Sequence, residues 1–333
     1  MRLLLKLPPE VEKLLLPPTP VGKFVPDKYD VEMADLIKPW QELNRADVGI
    51  IGIPYDTSVL IRRGCRFGPE GVRSALAFST SYEPGLDIDL TKGIAIADFG
   101  NIDPMHTDVL ETHRRVELVM TEIRRLDVTP LAIGGDHSLA YPLIKSLCNV
   151  TNGHVGAISI DAHLDLRISH HGEISSGTPF RRMLEEIPHK QVLGENFVEI
   201  GINGWHNSSF YMDYARKQGI RVITAREVHQ RGIQDVIEET LQRVTDGTEA
   251  FYLTFDIDGL DFAAAPGTCA PNAGGLTAYQ GLEAVYQLCR HPMSSGMDVC
   301  EVAPPLDVLD LTSTMGSALA MNFIGATWER INA

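Results

Sequence analysis

The chain has 333 residues and carries 29 Lys+Arg against 44 Asp+Glu, a formal charge of −15 at neutral pH. That surplus repels phosphate backbones and anionic lipid surfaces, which excludes nucleic-acid and membrane-surface binding as general functions. A hydrophobic content of 44% with 22% charged residues supports a packed core and excludes disordered, collagen-like and coiled-coil classes.

In chain order, residues 1–45 hold Pro8, Pro9, Pro17, Pro18, Pro20, Pro26 and Pro39 and no clear strand. They read as an extended N-terminal arm with short helical pieces, packing on the body or on a neighbouring subunit. Lys6 and Pro8-Pro9 interrupt the Leu3–Leu5 run, so no signal-peptide core forms, and no 18-residue apolar run occurs. From Asp47 onward, short β-branched runs alternate with amphipathic stretches, the pattern of strands joined by crossover helices. The expected strands are Val48–Ile53, Gly93–Ala97, Pro130–Ile133, Val155–Ile160, Phe197–Ile202, Arg221–Thr224, Ala250–Phe255 and Met297–Val302. The expected helices are Pro69–Phe78, Asp108–Leu126, Leu139–Cys148, Pro179–Glu186, Ser208–Lys217, Ile233–Val244, Ala278–Arg290 and Ser313–Glu329. With no internal repeat or Gly/Ser linker, residues 46–333 form one α/β domain. Periodicity does not separate a closed (β/α)8 barrel from an open, doubly wound sheet, but both place ligands at the carboxyl ends of parallel strands.

Carboxylates and histidines collect at those ends. The run ending at Ile133 leads into Gly134-Gly135-Asp136-His137-Ser138, and the run ending at Ile160 into Asp161-Ala162-His163-Leu164-Asp165. Phe255 is followed by Asp256-Ile257-Asp258, and the last strand contains Glu301-Val302-Ala303-Pro304. In extended backbone, residues two apart point the same way, so Asp161, His163 and Asp165 can face one point, and so can Asp256 and Asp258. Four converging carboxylates repel unless cations lie among them, and two divalent ions would cancel their charge. An oxygen-rich set with some imidazole and no thiolate points to Mn²⁺ or a similar metal rather than cysteine-held zinc. Such a pair supplies a bridging hydroxide at neutral pH, which makes the reaction class metal-assisted hydrolysis.

These four motifs resemble those of the ureohydrolases, the family of arginase, agmatinase and formimidoylglutamase. The resemblance extends from about Asp47 to the C-terminus. It includes Gly64-Cys65-Arg66-Phe67-Gly68-Pro69 before the first long helix and Ala273-Gly274-Gly275-Leu276. It implies a three-layer α/β/α fold around a mostly parallel eight-stranded sheet, not a barrel, and a homotrimer or homohexamer. It makes His137, Asp161, Asp165 and Asp256 ligands of the ions, with His163 and Asp258 completing the pair. It also gives Asp165 a proton-handling role and makes Glu301 the carboxylate that orients a planar guanidinium or amidinium cation through paired N–H bonds.

Within that family, Ser176 stands where agmatinases and guanidinobutyrases carry a histidine beside the substrate. The Ser176-Gly177-Thr178-Pro179-Phe180-Arg181 run resembles formimidoylglutamases. The expected reaction is conversion of formimidoylglutamate to glutamate and formamide. The alternatives are an agmatinase, guanidinobutyrase or free guanidine hydrolase that releases urea, for which nickel is the alternative metal, and a catalytically silent subunit of the same fold. A phosphoesterase would need a basic surface, which the composition opposes. Formimidoylglutamate also has an anionic end, for which Arg181 and Arg167 are the candidates. His170 and His171 are candidates for a proton shuttle, and Cys269 for the pocket wall. Five scattered cysteines with no CxxC pair point to a reducing compartment, hence the cytoplasm.

Overall fold

The computed structural model describes residues 4–23, 28–168 and 174–333; His170 and His171 lie outside them. Strands β1 (Leu15–Leu16), β2 (Ile37–Pro39), β3 (Val48–Gly52), β4 (Tyr82–Glu83), β5 (Ile88–Asp89) and β6 (Ile96–Ile102) come first. They are followed by β7 (Thr129–Ile133), β8 (His154–Ile160), β9 (Phe197–Ile202), β10 (Arg221–Thr224), β11 (Thr248–Asp256) and β12 (Ser294–Cys300). All but β4 and β5, which pair separately, join one open sheet in the order β1-β6-β3-β7-β12-β11-β8-β9-β10, with β2 also beside β6. The eight strands from β6 to β10 along this order run parallel, as the crossover helices require. The sheet is open, so the barrel alternative falls.

Successive strand residues serve opposite faces. Ile50, Leu131 and Ile158 pack on one side with residues of the helices Ile233–Thr245, Ala278–Cys289 and Leu311–Asn332. Ile51, Ala132 and Ala157 pack on the other with residues of Val109–Arg125, Ala140–Cys148 and Pro179–Glu186. Because both faces are covered, these strands read as continuous apolar runs rather than alternating ones.

Three expectations are corrected here. The arm does contain strands: β1 pairs antiparallel with the end of β6 and β2 parallel with its start, which gives ten strands instead of eight. Leu5, Leu7, Val11 and Trp40 are buried in the same core layer as Phe99. The strand expected at Gly93–Ala97 is displaced to Ile96–Ile102 because its polar residues are satisfied from a helix. Arg73 donates from Nε and Nη2 to Asp98 at 2.9 Å each, and from Nη1 to Asn101 at 2.8 Å. A further helix, Ala225–Arg231, was not expected; Thr224 caps it by accepting from the Glu227 N–H.

Candidate metal centre

The four motif-bearing strands β7, β12, β11 and β8 are contiguous in the sheet. Residues up to 164 positions apart in sequence therefore meet at one carboxyl edge. Beyond β7 the chain turns at Gly135, where a Cβ would fall 1.6 Å from the Tyr55 carbonyl oxygen, so only glycine fits. Asp136 then caps the next turn, accepting from Ser138 N and Ser58 N, and His137 enters the site fully buried.

His137 Nδ1 lies 3.0 Å from Asp161, 3.1 Å from Asp165 and 3.3 Å from Asp256. None of these approaches is a hydrogen bond: Nδ1 and Asp161 Oδ2 are both buried without a partner. The other ring nitrogen, Nε2, is 3.0 Å from Thr254 Oγ1, whose own proton goes to Asp298. Thr254 must therefore accept from Nε2–H, which leaves the Nδ1 lone pair facing three carboxylates. A second group adjoins the first, with His163 Nδ1 3.4 Å from Asp161 and 3.3 Å from Asp258. His137/Asp161/Asp165 and Asp161/His163/Asp258 each bring their ligand atoms within 4.8 Å, and Asp161 is common to both. Orphaned donors in this arrangement, oxygen-rich with one imidazole each, fit two divalent cations.

The electrostatics agree. Burial raises the Asp165 carboxyl to about 7, and the neighbouring charge on Asp161 adds to the effect. Burial likewise raises Asp256, with the charge of Asp258 adding to it, and raises Asp258, where His163 opposes the shift and Asp161 adds to it. Burial alone would lower the His163 imidazole, but Asp258 and Asp161 reverse this and carry it to about 12. Without ions, then, protons must take up the charge that a metal pair would carry.

Asp165 and Glu301 both sit at positive φ, 45° and 61°. A non-glycine residue there costs roughly 1–3 kcal/mol, and the surrounding contacts must hold it. Arg167 N bonds to Gly177 O at 2.8 Å, and Asn207 clamps the loop by donating to Ala162 O and accepting from Leu164 N. Glu301 N bonds to Gly135 O at 2.9 Å, and the Glu301 side chain accepts from His137 N through Oε1. Its Oε2 is buried without a partner.

A cavity of about 310 Å³ opens on this edge, lined by Asp165, His163, Asp256, Asp258 and Glu301 together with Ser176, Arg167 and Cys269. Among the described residues, every site residue expected from the sequence except His137, Asp161 and Arg181 lines it, and the first two are fully buried. Arg181 is elsewhere: its guanidinium bonds to Glu185 at 2.7 Å and lies over the Tyr214 ring, because it belongs to the helix Pro179–Glu186 that follows the Ser176-Gly177 turn. Sequence reasoning missed His206, Asn207 and Tyr211, which line the cavity from the loop and helix after β9. It also missed Glu199, a fully buried residue of β9 with neither carboxylate oxygen paired, lifted well above its usual range by burial and by Asp161 and Asp165.

Comparison with known proteins places this geometry. The model of the arginase family matches residues 46–325. A formimidoylglutamase of Halalkalibacterium halodurans is 32% identical over 90% of this chain and 92% of its own. The crystal structure of the Bacillus subtilis formimidoylglutamase superposes with a TM-score of 0.85 at 31% identity, covering 92% of this chain and 94% of that one. The Trypanosoma cruzi formiminoglutamase, in a crystal structure with Mn²⁺, gives a TM-score of 0.82 at 25% identity over 89% of this chain and 98% of its own.

Proposed function

The chain belongs to the arginase family, and on that premise we propose that it is a manganese-dependent hydrolase that converts formimidoylglutamate and water to glutamate and formamide. The observation that carries this reading is the pair of ligand groups sharing Asp161, set beside an unpaired Glu301 oxygen at one cavity. When bound, the two ions supply Lewis acidity and lower the pKa of water.

The chain's own residues do the rest. Glu301 holds the formimino cation by its N–H groups through the free Oε2, and its Oε1 stays fixed on His137 N–H. Asp165 is at the floor of the cavity in a backbone conformation that turns its carboxyl toward both His137 and the solvent-filled space. It takes up the proton that leaves the attacking water and returns it to the departing amino group. Arg167, exposed at the cavity wall, meets the carboxylate end of the substrate, and Ser176 supplies a neutral hydroxyl.

Formimidoylglutamases similar over 88–90% of the chain, together with Ser176, support formimidoylglutamate, while a guanidinobutyrase 33% identical over 84% of the chain keeps a guanidino compound as the competing substrate. The deciding assay offers the manganese-loaded protein formimidoylglutamate, agmatine, guanidinobutyrate, arginine and guanidine, and scores formamide, urea and ammonia separately. Formamide from the first substrate is expected. Urea from a guanidino compound at higher kcat/KM would overturn the substrate assignment while keeping the reaction class. We further propose a cytoplasmic homotrimer or homohexamer, to be tested by light scattering after gel filtration. No helix among the described residues is long and apolar enough to cross a membrane.

A further inference from the structure

We propose that Cys65, Cys269 and Glu301 form a third metal site, selective for a soft divalent cation such as zinc or cadmium, and that an ion bound there shuts the enzyme off. All three residues are buried, and one ligand atom from each lies within 4.8 Å of the others. Around a single tetrahedral ion such atoms stand about 3.5–3.8 Å apart, so a contraction of about 1 Å closes the tripod. Glu301 Oε2 has no partner, while Oε1 is held by His137 N–H, so one oxygen is already available for the ion.

The two thiols are placed by independent restraints. Asp56 accepts from Gly64 N at 2.9 Å and pairs with Arg66, fixing the turn that carries Cys65. The Cys269 segment is pinned by the bridge between Thr268 and Val302, by Ala303 N on Gly267 O at 2.7 Å, and by Arg62 Nε on Cys269 O at 3.2 Å. Cys269 and Glu301 line the cavity, so an ion has a path in and the fourth coordination position stays open to water. Thiolates discriminate against manganese, which prefers the oxygen and imidazole donors next door, and favour softer metals. Each ion bound displaces two thiol protons and leaves as ligands two thiolates and one carboxylate, a set that neutralises it with one negative charge to spare. The loss of turnover, though not the binding, rests on reading Glu301 as the substrate's carboxylate.

The test titrates the manganese-loaded protein with Cd²⁺ while following the ultraviolet thiolate-to-cadmium band, manganese content and formamide release. The band is expected to saturate at one Cd²⁺ per chain with both manganese ions retained, and turnover to fall in parallel. Cys65→Ser, whose fold is checked by its manganese content and uninhibited turnover, should need at least ~100-fold more cadmium for either effect. Cys65→Ala replaces it if the serine variant does not hold manganese. Cys300, which lies beside His137 and Asp256, gives the competing outcome. Displacement of manganese, or a band unchanged in both Cys65 variants, would place cadmium there and overturn the third site, as would the absence of any band. A band lost in Cys65→Ser but without inhibition of the wild type would leave the site standing and overturn the role given to Glu301.

Discussion

Asp258→Asn tests the two-ion reading most directly, because Asp258 belongs to only one of the two groups that share Asp161. The four carboxylates Asp161, Asp165, Asp256 and Asp258 balance two divalent ions, with His137 and His163 neutral. Replacing one carboxylate by an amide keeps the shape and one oxygen donor but leaves a net positive charge in a buried site. A carboxylate about 4 Å from a cation, in a medium of effective dielectric about 20, is worth about 4 kcal/mol for each unit of charge on the cation, so the loss is at least that. That corresponds to roughly 1,000-fold in affinity for the ion on the His163 side. The ion on the other side keeps His137, Asp161, Asp165 and Asp256. Metal analysis after gel filtration should therefore find two manganese ions per chain in the wild type and one in the variant. Turnover in the variant should return partly at high added manganese, as a binding defect requires. Two tightly held ions together with unaltered kcat/KM in Asp258→Asn would refute the shared-Asp161 arrangement.

Glu301→Gln should retain both metal ions, because the amide oxygen still accepts from His137 N–H. It should lose about 3 kcal/mol of charge-assisted bonding to the formimino cation, roughly 100-fold in kcat/KM, measured as formamide release. Arg167→Ala should raise KM for formimidoylglutamate about tenfold, in line with a partly screened charge pair, while leaving kcat for an uncharged amidine unchanged. Arg181→Ala should alter neither, since Arg181 is engaged with Glu185 and Tyr214; a KM effect confined to Arg181→Ala would reverse this assignment. The metal-free protein has carboxyls raised by burial, Asp165 to about 7, so protonation favours the folded state. That stabilisation is complete below the unfolded carboxyl value of about 3.9 and is lost as pH rises through about 7; the raised His163 acts in the same direction above about 6.5. The metal-free Tm should accordingly fall between about pH 5 and 8, and manganese should reverse the slope because its ligands must be deprotonated. A metal-free Tm that rises across that window would contradict the buried-carboxyl account.

The eight parallel strands were legible because a sheet buried on both faces needs β-branched runs such as Val48–Gly52 and Val155–Ile160, and the clustering of carboxylates and histidines at their carboxyl ends because these residues follow the runs at a spacing of two. What escaped was whatever depends on a partner distant in sequence. Asp98 and Asn101 look like turn residues until Arg73, from a helix, occupies them. The edge strands Leu15–Leu16 and Ile37–Pro39 are two and three residues long and bordered by prolines, which suits an edge and erases any periodic signal. Arg181 and Arg167 were equivalent in sequence, and only the turn at Gly177 separates the one at the cavity from the one that faces Tyr214. His206 and Asn207 belong to a loop whose composition resembles any polar connection. Their position follows from the Asn207 side chain, which donates to Ala162 O and Asn203 O and accepts from Leu164 N.

The polar residues beneath the site show why the sheet tolerates them. Parallel sheets are dry, yet β11 and β12 carry Tyr252, Thr254 and Asp298 side by side and fully covered. Burial lifts Asp298 to about 7 against the opposing pull of His137 and of the Thr254 hydroxyl, and the Arg124 guanidinium lies over the Tyr252 ring at 5.3 Å. An apolar trio would pack at lower cost, since each buried polar group without full pairing is unfavourable by roughly 1–3 kcal/mol. It would also remove the hydrogen bond from Nε2 to Thr254 Oγ1 that fixes the His137 ring and its tautomer. With Thr254 fixed by Asp298, the Nε2 proton has one destination and the Nδ1 lone pair one direction, toward Asp161, Asp165 and Asp256. The destabilising polarity inside the sheet is therefore what gives the buried His137 the fixed orientation that the proposed metal centre requires.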